Sequence, residues 1–279
     1  MSETDKLFAG SIPENYDRYL VPLIFEVFAD DIAQRAAALS PRTVLETAAG
    51  SGVVTRALAP RLPPDANYVV TDLNQPMLDY AATRQVADHR ISWRRADAQA
   101  LPFEDGAFDL VCCQFGIMFL PDRQSGYREA RRVLKPGGCF LFNVWDRIEE
   151  NVFANDVTNA LAEFFPNDPP RFLARTPHGY HDTALIRSEL EQAGFSSVVI
   201  ETRADHPCPA SGVVAPKGDT GKASRAGGLL GERFNNRALG ASRPSRLRLD
   251  QPLGIFLQAH AERLTLTHSS SFVTTATTL

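Results

Sequence analysis

Between residues 43 and 145 the apolar positions cluster into short continuous runs, separated by polar stretches with helical period. The runs Val44–Glu46, Tyr68–Thr71, Ile91–Arg94, Phe108–Cys113 and Cys139–Val144 predict five strands. Almost all are continuously apolar rather than alternating, the mark of a parallel sheet covered on both faces. Val53 to about Arg61, Met77 to about Val86, and Ser125 to Leu134 predict helices between them, with Pro63-Pro64-Asp65 and Lys135-Pro136-Gly137-Gly138 as turns. Upstream, Ile24, Phe28 and Ile32 recur at helical spacing. They predict an amphipathic helix that starts at Pro22 and closes near Leu39, preceded by an irregular aromatic stretch over 8–21. Downstream, Val152 to Phe165 reads as a helix and Pro166–Pro177 as a loop. Asp182 or Thr183 caps a helix running to Ala193, Gly194 stops it, and Ser197–Thr202 is a sixth strand.

The pattern divides the chain into a segment over 1–40, an α/β core over 41–145, an inserted helical cap over 146–181, a last helix and strand over 182–210, and an atypical region over 211–279. That last region is rich in Gly, Arg and Ser and has little periodicity, a composition compatible with partial disorder. Its apolar run near Ile255, up to Leu266, is a candidate for a seventh strand.

Composition narrows the class. At 44 % apolar and 22 % charged residues, the chain reads as an ordinary globular protein. A net charge of −4 argues against nucleic acid as a partner. The charge is uneven: the eight Lys/Arg of 211–250 outnumber three Asp/Glu, so 1–210 is distinctly acidic. No run approaches the roughly 20 apolar residues of a membrane span. The acidic start Met1-Ser2-Glu3-Thr4-Asp5 lacks the apolar stretch of a signal peptide. Cys112, Cys113, Cys139 and Cys208 have no metal-ligand spacing, so free thiols in a reducing cytoplasm are expected, with no metal site.

The chemistry starts at Val44-Leu45-Glu46-Thr47-Ala48-Ala49-Gly50-Ser51-Gly52. Strand, small-residue turn and helix form the entry to a nucleotide-type cofactor site, where free N–H groups of the helix start meet a polar ligand. Asp72 closes the second strand, and a carboxylate there can accept from both hydroxyls of a ribose. The turn lacks the third Gly of a dinucleotide fingerprint; Thr55 stands there. Glu46 would repel a pyrophosphate and suits a ligand carrying an ammonium. Asp97-Ala98 follows the third strand, where a carboxylate and the next N–H can meet an adenine edge. Asp109 reads as a structural residue at a strand start, and Arg131 and Arg132 as a solvated helix face.

With VVTDLNQPML (69–78), RADAQALPFEDGAFDLV (95–111) and REARRVLKPGG (128–138) following in order, the sequence resembles the class I S-adenosylmethionine-dependent methyltransferases. The likeness is greatest to the type 11 domain branch that includes ubiquinone/menaquinone biosynthesis C-methyltransferases. The resemblance implies a Rossmann-like class I methyltransferase fold: a mostly parallel seven-stranded sheet, its last strand antiparallel, with helices on both faces and a small helical cap. It implies S-adenosyl-L-methionine as cofactor, with Glu46, Ala48, Gly50 and Gly52 at its methionyl part and Asp72 on its ribose. Leu73 and Met77 would lie near the adenine, Asp97 and Ala98 on its edge, and Gln114 and Phe115 along the site. Ala48 replaces the first Gly of the family turn and is tolerable there if its φ is negative. Substrate-side candidates are Tyr16, Tyr19, Phe119, His178, Tyr180 and His181, and no catalytic dyad stands out. The expectation is a cytoplasmic enzyme, monomer or homodimer, that methylates a small molecule by in-line transfer. A cofactor-binding protein without activity is the alternative, and a nicotinamide oxidoreductase a more distant one.

Overall fold

A computed structural model describes residues 14, 16–205 and 270–278. The elements, in chain order, are α1 (Glu26–Ala38), β1 (Thr43–Glu46), α2 (Val53–Leu58), β2 (Asn67–Asp72), α3 (Gln75–Arg84), β3 (Ile91–Arg95), β4 (Phe108–Gln114), α4 (Arg123–Val133), β5 (Leu134–Trp145), α5 (Val152–Phe164), α6 (Phe172–Arg175), α7 (Thr183–Gln192), β6 (Ser197–Asp205) and β7 (Ser270–Thr278). The strands form one seven-stranded sheet in the order β3-β2-β1-β4-β5-β7-β6. β1 pairs parallel with β2 and β4, β2 with β3, and β4 with β5. β7 runs antiparallel between β5 and β6.

Side chains alternate between the faces along each strand. One face sets Leu45, Val111, Phe140 and Phe142 against Tyr127, Ala130 and Val133 of α4 and Ile186 and Leu190 of α7. The other sets Val44, Tyr68, Val70 and Leu110 against Ala29, Ile32 and Ala33 of α1, Val54 and Leu58 of α2, and Leu78 of α3. A small third cluster joins Phe153, Val157 and Leu161 of α5 to Leu20, Leu23 and Ile24, so α5 rests on the N-terminal segment.

Four expectations change. From Tyr16 on, the aromatic stretch is regular: Tyr16–Phe25 is a π-helix with Pro22 inside it rather than at a helix start, while residues 8–13 and 15 lie outside the described residues. The proline ring clashes with the carbonyl of residue i−4, and a wider turn moves that carbonyl away. Lys135–Gly138 is not a turn before β5 but an irregularity within it. Phe108 pairs with Leu134 and Leu110 with Cys139, and Pro136 is accommodated where the ladder is broken. The antiparallel strand is Ser270–Thr278, at the Ser/Thr-rich end; Ile255–Leu266 lies outside the described residues, as does Cys208. Arg131 and Arg132 are not merely solvated: Arg131 donates to Gly194 O at 2.9 Å, and Arg132 ties Leu101 O, Phe103 O, Asp105 and Glu129 together.

Other expectations agree with the structure. Asp182 caps α7 by accepting from Ala184 N and Leu185 N. Asp109 accepts from Arg42 N and Thr43 N and from Lys135 Nζ, tying the starts of β1, β4 and β5 together. Cys112, Cys113 and Cys139 are buried free thiols.

Candidate active site

The chain order of the sheet reverses between β1 and β4, and the C-terminal ends of β1, β2 and β4 open beside that reversal. Open α/β sheets bind ligands at such a point. The β1 turn is the floor of the site. Gly52, at φ 79°, starts α2, and a side chain there would meet Ala81 Cβ at 2.9 Å, so only Gly lets α2 and α3 close up. Ala48 departs from expectation. Its φ is +53°, in the left-handed region, not negative. The turn keeps the path a Gly would take, and the added methyl is absorbed opposite Gly116. Phe115, at the end of β4, also has positive φ, +49°. Two non-Gly residues thus hold left-handed backbone, one in the β1 turn and one at the end of β4, and such strain is often tied to function.

Glu46 is buried at the end of β1. Its Oε2 accepts from Thr55 Oγ1 at 2.7 Å and from the Tyr68 hydroxyl. Burial raises its pKa to about 7, against the pull of those two hydroxyls and Arg56. Thr55, the residue that replaces a fingerprint Gly, is therefore the partner that orients Glu46. Asp72, also buried, accepts from Gly50 N at 2.8 Å through Oδ2 and from Asn74 N at 2.8 Å through Oδ1, and burial raises its pKa. It thereby latches the β1 turn to the end of β2. Oδ1 also accepts from Asn74 Nδ2 at 3.4 Å; a carboxylate has about four acceptor positions, so Oδ2 keeps one for a further donor. Met77 is buried with Cε beside Gly50, whereas Leu73 is 42 % exposed. Asp97 accepts from Gln99 N and Nε2, both on Oδ1, and Ala98 is half-buried next to it.

Gln114 donates through Nε2 to Phe25 O at 3.2 Å, which leaves Oε1 buried without a donor; Ser51 Oγ is likewise buried and unpartnered. A buried polar atom without a partner costs about 1–3 kcal/mol, so two of them beside the same turn suit a polar ligand there.

The wall beyond β4 is aromatic. Phe115 stacks on Trp145 at 4.0 Å between ring centroids, and Phe25 and Phe28 meet both edge-on. Tyr16 stacks on Phe25 at 5.0 Å, and burial and the nearby Asp72 carboxylate raise its pKa. His178 lies on Trp145 with ring centroids 5.8 Å apart.

The substrate-side candidates thus separate. Tyr16 and His178 join the aromatic wall. Tyr180 uses its hydroxyl in the core, donating to Glu189 Oε2 at 2.5 Å and accepting from Tyr127. Tyr19 lies under the Arg18 guanidinium, Phe119 near Phe172, and His181 donates from Nδ1 to His178 O.

Sequence reasoning missed three parts of the site. The Thr55–Glu46–Tyr68 network joins residues far apart in sequence. Trp145 and Phe28 read as ordinary core residues. Asp17, buried in the π-helix, pairs with Arg56 at 2.6 Å while Arg56 also donates to Ser51 O; Arg84 and Tyr80 complete the clamp. An acid inside an aromatic run was its only signal.

Fold and site together define a Rossmann-like methyltransferase. A methyltransferase-domain family profile matches residues 45–142. The ubiquinone/menaquinone biosynthesis C-methyltransferase of Burkholderia mallei (strain SAVP1) is 32 % identical over 164 residues, covering 56 % of this chain and 68 % of that protein. Among solved structures, an S-adenosylmethionine-dependent methyltransferase of Thermotoga maritima matches with TM-score 0.53 and 16 % identity over 95 % of each chain. Haemonchus contortus phosphoethanolamine N-methyltransferase 2, in complex with phosphomonomethylethanolamine and S-adenosylhomocysteine, matches with TM-score 0.61 and 14 % identity, over 100 % of this chain and 60 % of that one. The chain belongs to the S-adenosylmethionine-dependent methyltransferases.

No helix among the described residues is long and apolar enough to cross a membrane.

Proposed function

We propose that this enzyme methylates a small molecule in the cytoplasm by in-line transfer, and that the β1 turn holds the cofactor. The observation that carries the reading is the set of carboxylates at the ends of β1 and β2 and after β3, beside a turn with unpartnered polar atoms. Glu46, held through Oε2 alone, would take the cofactor's ammonium. Asp72 would accept from the ribose hydroxyls at its remaining acceptor position, and Asp97 from the adenine amino group through Oδ2. Ala48, Gly50 and Gly52 would border the methionyl part, Leu73, Met77 and Ala98 the adenine, and Gln114 and Phe115 the reacting end.

A bound sulfonium would supply a methyl already activated for displacement, with a neutral thioether as leaving group. The work left to the chain is positional. The strained turns at Ala48 and Phe115 fix the floor, and the clamped π-helix with α5 resting on it excludes water. Tyr16 and His178, on the aromatic wall, would face the acceptor.

Calorimetry with S-adenosylhomocysteine and with NAD tests the cofactor assignment. Only the first is expected to bind, and Asp72→Ala is expected to weaken it at least tenfold. Binding of NAD alone, or unchanged affinity in the variant, would refute the assignment.

A further inference from the structure

We propose that His178 is the general base for the methyl acceptor, taking its proton at Nε2; the proposal rests on the small-molecule methyltransferase reading above. The geometry fixes the tautomer. His178 Nδ1 lies 2.7 Å from the Asp146 carbonyl oxygen. A carbonyl only accepts, so Nδ1 carries the hydrogen and Nε2 of the neutral ring carries the lone pair.

The loop is also pinned. His178 N donates to Leu173 O at 3.0 Å, and His178 O accepts from His181 Nδ1 at 2.9 Å. The ring is therefore placed by its own backbone and one side-chain bond, as a preorganised base must be. It lies on Trp145, which stacks on Phe115, and Phe115 precedes the Gly116 that faces Ala48. This chain of contacts runs from the imidazole to the turn assigned to the methionyl group.

The neighbours allow a neutral base. His178 is buried, and burial together with His181 lowers its pKa, while the Asp146 carbonyl and the Asp146 and Glu149 carboxylates oppose that shift. At neutral pH the ring is uncharged and able to accept. Two other ionisable candidates on this side are less suited: the Tyr180 hydroxyl already donates to Glu189, and burial and Asp72 both oppose ionisation of Tyr16.

The step balances. The acceptor heteroatom or carbon attacks the methyl as Nε2 takes its proton. The new bond to the methyl forms, the carbon–sulfur bond breaks, and its electron pair stays on sulfur. The sulfonium's positive charge ends on the imidazolium, which returns the proton to water.

Two measurements on the full chain test this. The first is a long-range proton–nitrogen spectrum of histidine-labelled protein, with His178 assigned by its loss in His178→Gln. The expected result is a neutral ring protonated on Nδ1 at pH 7, whose signals move when S-adenosylhomocysteine is added. A ring protonated on Nε2, or one blind to that ligand, would overturn the proposal. The second measurement supplies methyl-labelled cofactor and a deproteinised small-molecule extract of the source cells, across pH. Wild type and the exposed-site control His89→Gln are expected to reach a plateau by about pH 7. His178→Gln should fall about 100-fold or more at pH 7 and recover as pH rises, with S-adenosylhomocysteine affinity held within about twofold. Incorporation within about threefold of wild type at every pH, or a loss matched by lost affinity, would overturn the proposal. If wild type itself labels nothing while binding the cofactor, the small-molecule reading fails, and with it the acceptor that His178 is proposed to deprotonate.

Discussion

Gly116→Ala is expected to destabilise the fold by about 2–3 kcal/mol, the upper part of the range for an overpacked site, and Ala48→Gly to return a share of that loss. A methyl at position 116 would lie 2.5 Å from Ala48 Cβ and 2.6 Å from Cys113 Sγ. Ordinary carbon contacts are about 3.5–4.0 Å, so the overlap is about 1 Å on each side. Neither neighbour can swing away: Ala48 Cβ moves only with its backbone, and Cys113 is buried in β4. Ala48→Gly by itself relieves a left-handed backbone worth about 1 kcal/mol or more. It also loosens the unfolded chain, at about 0.4–1 kcal/mol. The single variant should therefore fall between neutral and about 1 kcal/mol more stable. In the double variant one of the two overlaps is gone, so roughly half the Gly116→Ala cost, about 1 kcal/mol, should appear as coupling. Equilibrium urea unfolding of the four proteins measures all three numbers. If Gly116→Ala costs the same in both backgrounds to within about 0.5 kcal/mol, the two β-carbons do not meet. An Ala48→Gly variant less stable by more than about 1 kcal/mol would refute the left-handed assignment, because Gly then gains nothing there.

Cofactor affinity should depend on pH through Glu46. Its pKa of about 7 makes it neutral in acid, and an ammonium requires the ionised form. The apparent affinity for S-adenosylhomocysteine should level off above about pH 8, be about half that at pH 7 and about tenfold weaker at pH 6, as the competent fraction falls to about a tenth. Glu46→Gln should bind weakly without that slope, and a wild-type affinity flat from pH 6 to 8 would disprove the link. The effect on stability has the opposite sense. A folded pKa raised above the unfolded value favours the fold fully below the unfolded carboxylate range, and that contribution is lost as pH rises through about 7. Arg90→Met should cost about 2–4 kcal/mol in urea unfolding, because the guanidinium donates to Ala59 O, Leu62 O and Pro63 O and pairs with Asp88 at 2.6 Å. Arg90 holds the Asp88 pKa down to about 2. The pair's stabilisation is present above the unfolded carboxylate pKa and is lost as pH falls towards 2, so the variant's deficit should shrink in acid; a deficit independent of pH would contradict the pairing.

Much of the fold follows from local pattern. The continuous apolar runs, the acids that end the first two strands, and the caps at Asp182 and Gly194 depend on residues close in sequence or on one face of one element. They are readable because burial on both faces and the capping of free N–H groups leave a signature in a few adjacent positions. Tertiary structure decided what depends on distant neighbours. The seventh strand falls in a Ser/Thr-rich stretch because β5 and β6 present it with two edges to fill, not because its own pattern demands a strand. Thr55 and Tyr68 become partners of Glu46 only once α2 and β2 pack beside β1. The Ala48 turn takes the left-handed path because the sheet fixes the end of β1 and Asp72 holds the backbone at Gly50; Gly116 then leaves room for the methyl. Whether an Ala or a buried His is ordinary or special depends on atoms that the chain brings up only after folding.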